Sequence, residues 1–139
     1  MTVTVSPFIR NALLLDAVAT GAIALLVIAG ASFLAPLLGL PQQLLFWAGV
    51  LLVPFVALLV VVSKRPAVAR MTLIDIIGIN VLWVAASIGL LVSGHLAPTA
   101  LGVAFVGAQA AAVSVFAALQ IGGLLRTAKH TALPASSAP

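Results

Sequence analysis

From residue 11 to residue 125 the only charged side chains are Asp16, Lys64, Arg65, Arg70 and Asp75. No other feature constrains the fold as tightly. A helix that crosses a bilayer needs about 20 mostly apolar residues. Four segments qualify, at roughly 11–35, 42–62, 71–93 and 99–125. The breaks between them read APLLGLPQQ, SKRPAVAR and SGHLAPT, each carrying proline together with glycine or serine. Ser6-Pro7 offers a capping side chain followed by a proline suited to a first helical turn. The first apolar core, about 25 residues, exceeds the roughly 7–15 of a signal peptide, so it is expected to be retained.

A soluble domain carries about 25% charged residues. This chain carries 6%, too few to clothe a water-facing surface. A closed barrel would need alternating strands of about 10 residues, and these apolar runs do not alternate. The expected fold is therefore all-α: a four-helix bundle in a membrane, made of two antiparallel helical hairpins. The membrane domain is placed at 1–126. The remainder, 127–139, ends in TALPASSAP and is expected to form a disordered cytoplasmic tail.

The six basic residues are Arg10, Lys64, Arg65, Arg70, Arg126 and Lys129. With four spans all six fall on one side, and the positive-inside rule puts both termini in the cytoplasm. Scattered in this way they make no face for nucleic acid, and no nucleic-acid partner is expected. The alanine-, valine- and leucine-rich text without cysteine has the style of a bacterial inner-membrane protein.

The two halves share a pattern. RNALLLDAVATG opens the first and RMTLIDIIGINV the second, and each half has a proline at its outer turn, Pro41 and Pro98. Two hairpins starting on the same side would be a parallel internal repeat. The alternative is the ease with which one apolar text aligns with another.

Asp16 and Asp75 are the only acids. Each lies five or six residues after an arginine, about 7–9 Å along a helix. One reading makes both interfacial carboxylates, paired with arginines or wetted near the headgroups. The other has them line a cytoplasm-facing vestibule for a cation or a proton. If spans three and four turn near Pro98, facing residue numbers sum to about 195. That sets Asp75 against Gln120, Asn80 against Ser114 and Ser87 against Gln109. Asn80, Trp83 and Ser87 share one face of span three, and Gln109, Phe116 and Gln120 share one of span four. The two faces are expected to meet, either as interhelical glue or as a pocket with Trp83 and Phe116 as apolar walls.

Other landmarks read structurally. Pro54 is expected to kink the second span. Trp47 fits an interfacial anchor. Ala17/Gly21, Ala85/Gly89 and Gly107/Ala111 are small-residue pairs suited to close helix crossings. His95 and His130 have no second ligand in sight, so no metal or cofactor is expected. There is no nucleophile set, carboxylate cluster or phosphate loop, so catalysis is not expected. Length and layout resemble the small multidrug-resistance transporters, whose membrane-embedded acid in span one corresponds by position to Asp16. Their characteristic sequence around that acid is absent here. The expected function is an accessory or scaffold subunit that packs on another membrane protein or on itself; the alternative is a binder or transporter of a small hydrophobic or cationic molecule, using a polar pocket between spans three and four and the cytoplasmic-side carboxylates. Its candidate ligand-binding residues are Asp16, Asp75, Asn80, Trp83, Gln109, Phe116 and Gln120.

Overall fold

The computed structural model describes the backbone of residues 1–132 and the side chains of residues 1–127. It is a helical bundle of four helices, α1 (Pro7–Leu38), α2 (Gln42–Ser63), α3 (Arg70–Val92) and α4 (Ala100–Ala132). Each is long and apolar enough to cross a membrane. The expected segments are recovered, with α1 longer at both ends. At its start the Ser6 hydroxyl accepts a hydrogen bond from the Ile9 amide, with Pro7 in the first turn. It ends at Gly39, whose φ of 68° is the left-handed cap that glycine adopts without Cβ strain. Pro54 lies inside α2, whose assignment runs unbroken from end to end.

Two features depart from the sequence expectation. Thr2–Thr4 (β1) and Ala67–Ala69 (β2) pair as a short antiparallel ribbon, with Val3 opposite Val68. The alternating β-branched text TVTV carried that signal. Further bonds from the Val5 amide to Pro66 O and from the Arg70 amide to Met1 O tie the N-terminus to the loop before α3. At the other end α4 continues to Ala132, through the first six residues assigned to a disordered tail. The run has no breaker until Pro134, which disfavours helix at the residue before it. Residues 133–139 of that tail lie outside the described residues.

α1 is the central element, packed against both α2 and α4, while α3 leans mainly on α4. At Gly49 α2 lies tight against α1: a Cβ there would stand 2.7 Å from Val27 and from Ile28. The basic residues gather at the ribbon end. Arg10 Nε donates to Ser63 O at 2.8 Å, a cation at the carbonyl end of α2. The Arg126 guanidinium sits 4.6 Å over the Phe8 ring. At the opposite end Thr99 caps α4 by accepting from the Gly102 amide, and its hydroxyl donates to Leu37 O.

The interior holds two apolar clusters. One, at the ribbon end, includes Ile9, Leu13, Leu59 and Ile76. The other, at the far end, includes Val27, Leu34, Leu38 and Val106. Between them lies a polar band.

Candidate functional site

The band is built from one stripe on each of three helices. On α3, Leu73, Ile76, Asn80 and Ser87 are buried, with half-buried Trp83 among them, at the 3–4 spacing of a single face. On α4 the inward stripe is Val106, Ala110, Val113, Ala117, Gln120 and Leu124. On α1 it runs Leu13, Asp16, Ala17, Thr20 and Ala24. Each stripe is apolar except at one or two positions: Asp16 and Thr20 on α1, Asn80 and Ser87 on α3, and Gln120 on α4.

Asp16 is fully buried, at 0% exposure. Its Oδ1 accepts from the Thr20 hydroxyl at 2.9 Å, one turn along α1. Its Oδ2 accepts from Asn80 Nδ2 and from Gln120 Nε2, both at 2.8 Å. Asn80 Nδ2 also donates to Gln120 Oε1 at 3.0 Å. Three helices are thereby joined through one carboxylate whose hydrogen-bond donors are all neutral. Asn80 commits both amide hydrogens, which settles which way the amide points, since its oxygen turned toward Asp16 would meet an acceptor.

A second polar layer lies one to two turns farther from the ribbon. Trp83 Nε1 donates to Gln109 Oε1 at 2.8 Å, Gln109 Nε2 donates to Ser87 Oγ at 2.9 Å, and the Ser87 hydroxyl donates to Trp83 O at 2.8 Å. Every buried side-chain nitrogen and oxygen among the described residues has a partner or touches open space. A void of about 20 Å³ separates the two layers, bounded by Thr20, Asn80, Trp83 and Gln109 with apolar neighbours.

Beyond the second layer a cleft of about 520 Å³ opens between α2 and α3. Its walls are apolar, with Trp47 and Leu51 from α2, Leu90 from α3, and Val27 and Phe105 behind. Trp83, Ser87 and Gln109 form its inner polar end, and Gln43 stands at the outer one.

The candidate residues therefore divide. Asp16, Asn80 and Gln120 are brought together, and Trp83 and Gln109 are brought to the cleft. Phe116 is half-buried on α4 and is not among the cleft walls. Asp75 is exposed on the outer side of α3. The expected level of Ser87 with Gln109 is met. Gln120, however, meets Asn80 and Asp16 rather than Asp75, and Ser114 is exposed and bonds back to Ala110 O. Level alone does not fix facing. Asp75 lies five residues before Asn80, about 140° around the helix, so the two cannot share a face. The polar faces of α3 and α4 bond to each other, and the concave surface lies against α2 instead.

Sequence reasoning passed over Thr20. The signal available was its position four residues after Asp16, a spacing at which helical side chains meet. The sequence readings of Asp16 paired it with an arginine, wetted it near the headgroups or set it in a vestibule, whereas the carboxylate is fully buried. In the structure Asp16 is nine residues into α1, about 13 Å along the axis from Pro7. Among the described residues no group of three or more His, Cys, Asp or Glu converges. No protein-family model, curated protein or solved structure matches the chain.

Proposed function

We propose that this is a multi-pass membrane protein that takes a small hydrophobic molecule, bearing one hydrogen-bonding group, into the cleft between α2 and α3. The membrane placement is supported by an inverted distribution of polarity. Val18, Leu25, Phe33, Leu51 and Leu82 are each about 70% exposed, while Asp16, Thr20, Asn80 and Gln120 are buried. Lipid solvates that surface; water does not. In this reading the helices form two antiparallel hairpins, and both termini are cytoplasmic. The gathering of Arg10, Arg126 and the ribbon at one end supports that orientation. Because the chain has no cysteine, K64C and A97C provide clean reporters. An external, membrane-impermeant maleimide is expected to label A97C and to spare K64C, and the reverse pattern overturns the orientation.

The observation that carries the binding function is the cleft's composition: apolar walls leading inward to a polar end at Ser87 and Gln109. That is the build of a site for an apolar body with one oriented polar group. Both tryptophans of the chain line it, so its occupancy is readable directly. Titrating protein in nanodiscs with a brominated long-chain alcohol is expected to quench tryptophan emission saturably. Gln109→Leu is expected to weaken binding about tenfold, the worth of one hydrogen bond. Quenching that rises linearly and ignores the substitution is lipid partitioning, and it ends the proposal.

A second reading, an accessory or scaffold subunit, is favoured by one observation. Gly78, Gly89 and Gly107 have nothing within 4 Å of a built Cβ, and Ala85 and Ala111 are exposed. Two of the three small-residue pairs suited to close crossings are thus unused within the chain, and a partner helix fits against them. Native mass spectrometry from mild detergent separates the two readings: a stable complex with another polypeptide or with a second copy supports the subunit, and a ligand-free or small-molecule-bound monomer removes it.

A further inference from the structure

All four helices contribute to the cleft, so four seams surround it, and three of them are closed. Between α1 and α2 the backbones pack at Gly49, where a Cβ would meet Val27, Ile28 and the Ala24 carbonyl. α1 and α4 are fastened at both ends. The Thr99 amide donates to Leu38 O and its hydroxyl to Leu37 O. A Cβ at Gly102 would collide with Leu38 O, and one at Gly123 would press on Ile9 and Phe8. α3 is bonded to α4 through Asn80–Gln120, Trp83–Gln109 and Ser87–Gln109. The fourth seam, between α2 and α3, has no such fastening among the described residues, and the two helix backbones barely approach one another.

This open seam is a wedge. At the ribbon end Phe55, Leu59 and Val62 of α2 share an apolar cluster with Leu73 and Ile76 of α3, and the loop joining the two helices is held by its pairing with β1. At the other end the corner after α1 is packed, since a Cβ on Gly39 would meet Ala97 O and the Thr99 amide. The corner after α3 is not: Ser93, Gly94 and His95 are exposed, and a Cβ on Gly94 would meet nothing. The lips of the wedge are apolar and face outward. Leu44, Trp47 and Leu51 on α2 and Ala86 on α3 line the cleft and are themselves exposed. No charged residue lines it.

We infer that the ligand enters sideways from the hydrocarbon of the bilayer, through the mouth between α2 and α3. This rests on the cleft reading given above, and it narrows the ligand class to uncharged amphiphiles that dissolve in the membrane before they bind. A charged group would have to pass these lips with nothing to pair with, at a large desolvation cost. A molecule already in the lipid crosses no polar rim.

The test joins the two lips. Ala48 lies 15 residues before Ser63 and Ala86 lies 16 after Arg70, so the two stand at one level, and both line the cleft. The chain has no cysteine, so Ala48→Cys with Ala86→Cys gives a unique pair. A bifunctional methanethiosulfonate links them across the mouth, and a reductant releases the link. The rate of tryptophan quenching by the brominated long-chain alcohol in nanodiscs reads entry. Linking is expected to slow entry at least tenfold, reduction is expected to restore the unlinked rate, and alcohol loaded before linking is expected to be retained on dilution. The unsubstituted protein supplies a second measurement. At equal free aqueous concentration its entry rate is expected to rise about fourfold for each added methylene, as the concentration in the bilayer does. Saturable quenching with an unchanged rate after linking, or a rate flat across the chain-length series, means entry from water past Gln43: the lateral route is then overturned while the cleft reading stands. No saturable quenching in the unlinked, unsubstituted protein ends both.

Discussion

Asp16 and Asp75 sit at matching places in the two halves of the chain, and the fold treats them oppositely. Asp16 turns inward from the central helix and gathers donors from three helices. Asp75 turns outward from α3, the helix with the fewest buried residues. The difference lies in what surrounds each helix. α1 is flanked by α2 and α4 and buries more of its surface, whereas α3 leans on α4 and leaves a wider face open. The same residue type in a similar local text is a three-helix junction in one half and a peripheral group in the other. If the halves arose by duplication, their environments have since diverged.

The sharpest way to break this comparison is Asp16→Ala beside Asp75→Ala. Asp16→Ala orphans three buried donors and is expected to cost about 3–5 kcal/mol, read by unfolding in mild detergent. Asp75→Ala is expected to leave the midpoint unchanged within error. Equal losses would mean that the two acids are structurally equivalent. Next in size, Gln120→Leu removes a donor to Asp16 and an acceptor from Asn80, with an expected loss of about 1–3 kcal/mol. Asp75 offers no partner through which Gln120 could matter, so combining Gln120→Leu with Asp75→Ala is expected to be additive, whereas combining it with Asp16→Ala is not.

Gln109→Leu acts in the second layer and is expected to cost about 1 kcal/mol, within the range of interhelical hydrogen bonds in membranes. It frees the Trp83 indole N–H, so a shift in tryptophan emission is expected even where the stability change is small. The smallest effect concerns α3's open face. Gly89→Ala places its Cβ in open space and is expected to leave the isolated chain's stability unchanged. In contrast, Gly49→Ala meets Val27, Ile28 and the Ala24 carbonyl and is expected to destabilise by about 1–3 kcal/mol. A loss for Gly89→Ala that appears only in an associated form would show that α3's outer face is covered by a partner.

Much of the fold was legible in the amino-acid sequence. Apolar run length and proline-bearing breaks located all four helices, because helix length in an apolar medium is set by a local property. The Ser6-Pro7 start was readable for the same reason. The Ser87–Gln109 pairing followed from turn position and rise per residue alone. The β1–β2 ribbon was harder, since three-residue strands have no meaning until their partner is known. For Asp16 the sequence supplied two open readings, and neither contained its actual partners. Its bonds to residues 64 and 104 positions away depend on how α1 nests against α3 and α4.

The sequence by itself determined four helices long and apolar enough to cross a membrane, and a basic bias at alternate breaks. It did so because run length, composition and charge order need no knowledge of neighbours. Tertiary structure alone decided which polar groups are interior: that Asp16 is sealed among Thr20, Asn80 and Gln120, that Asp75 is left outside, and that a cleft opens beside Trp83. Those outcomes rest on the rotation of each helix about its axis. Nearly every face of these helices is apolar, so hydrophobic periodicity cannot fix that rotation, and only side-chain packing and the pairing of buried polar groups can.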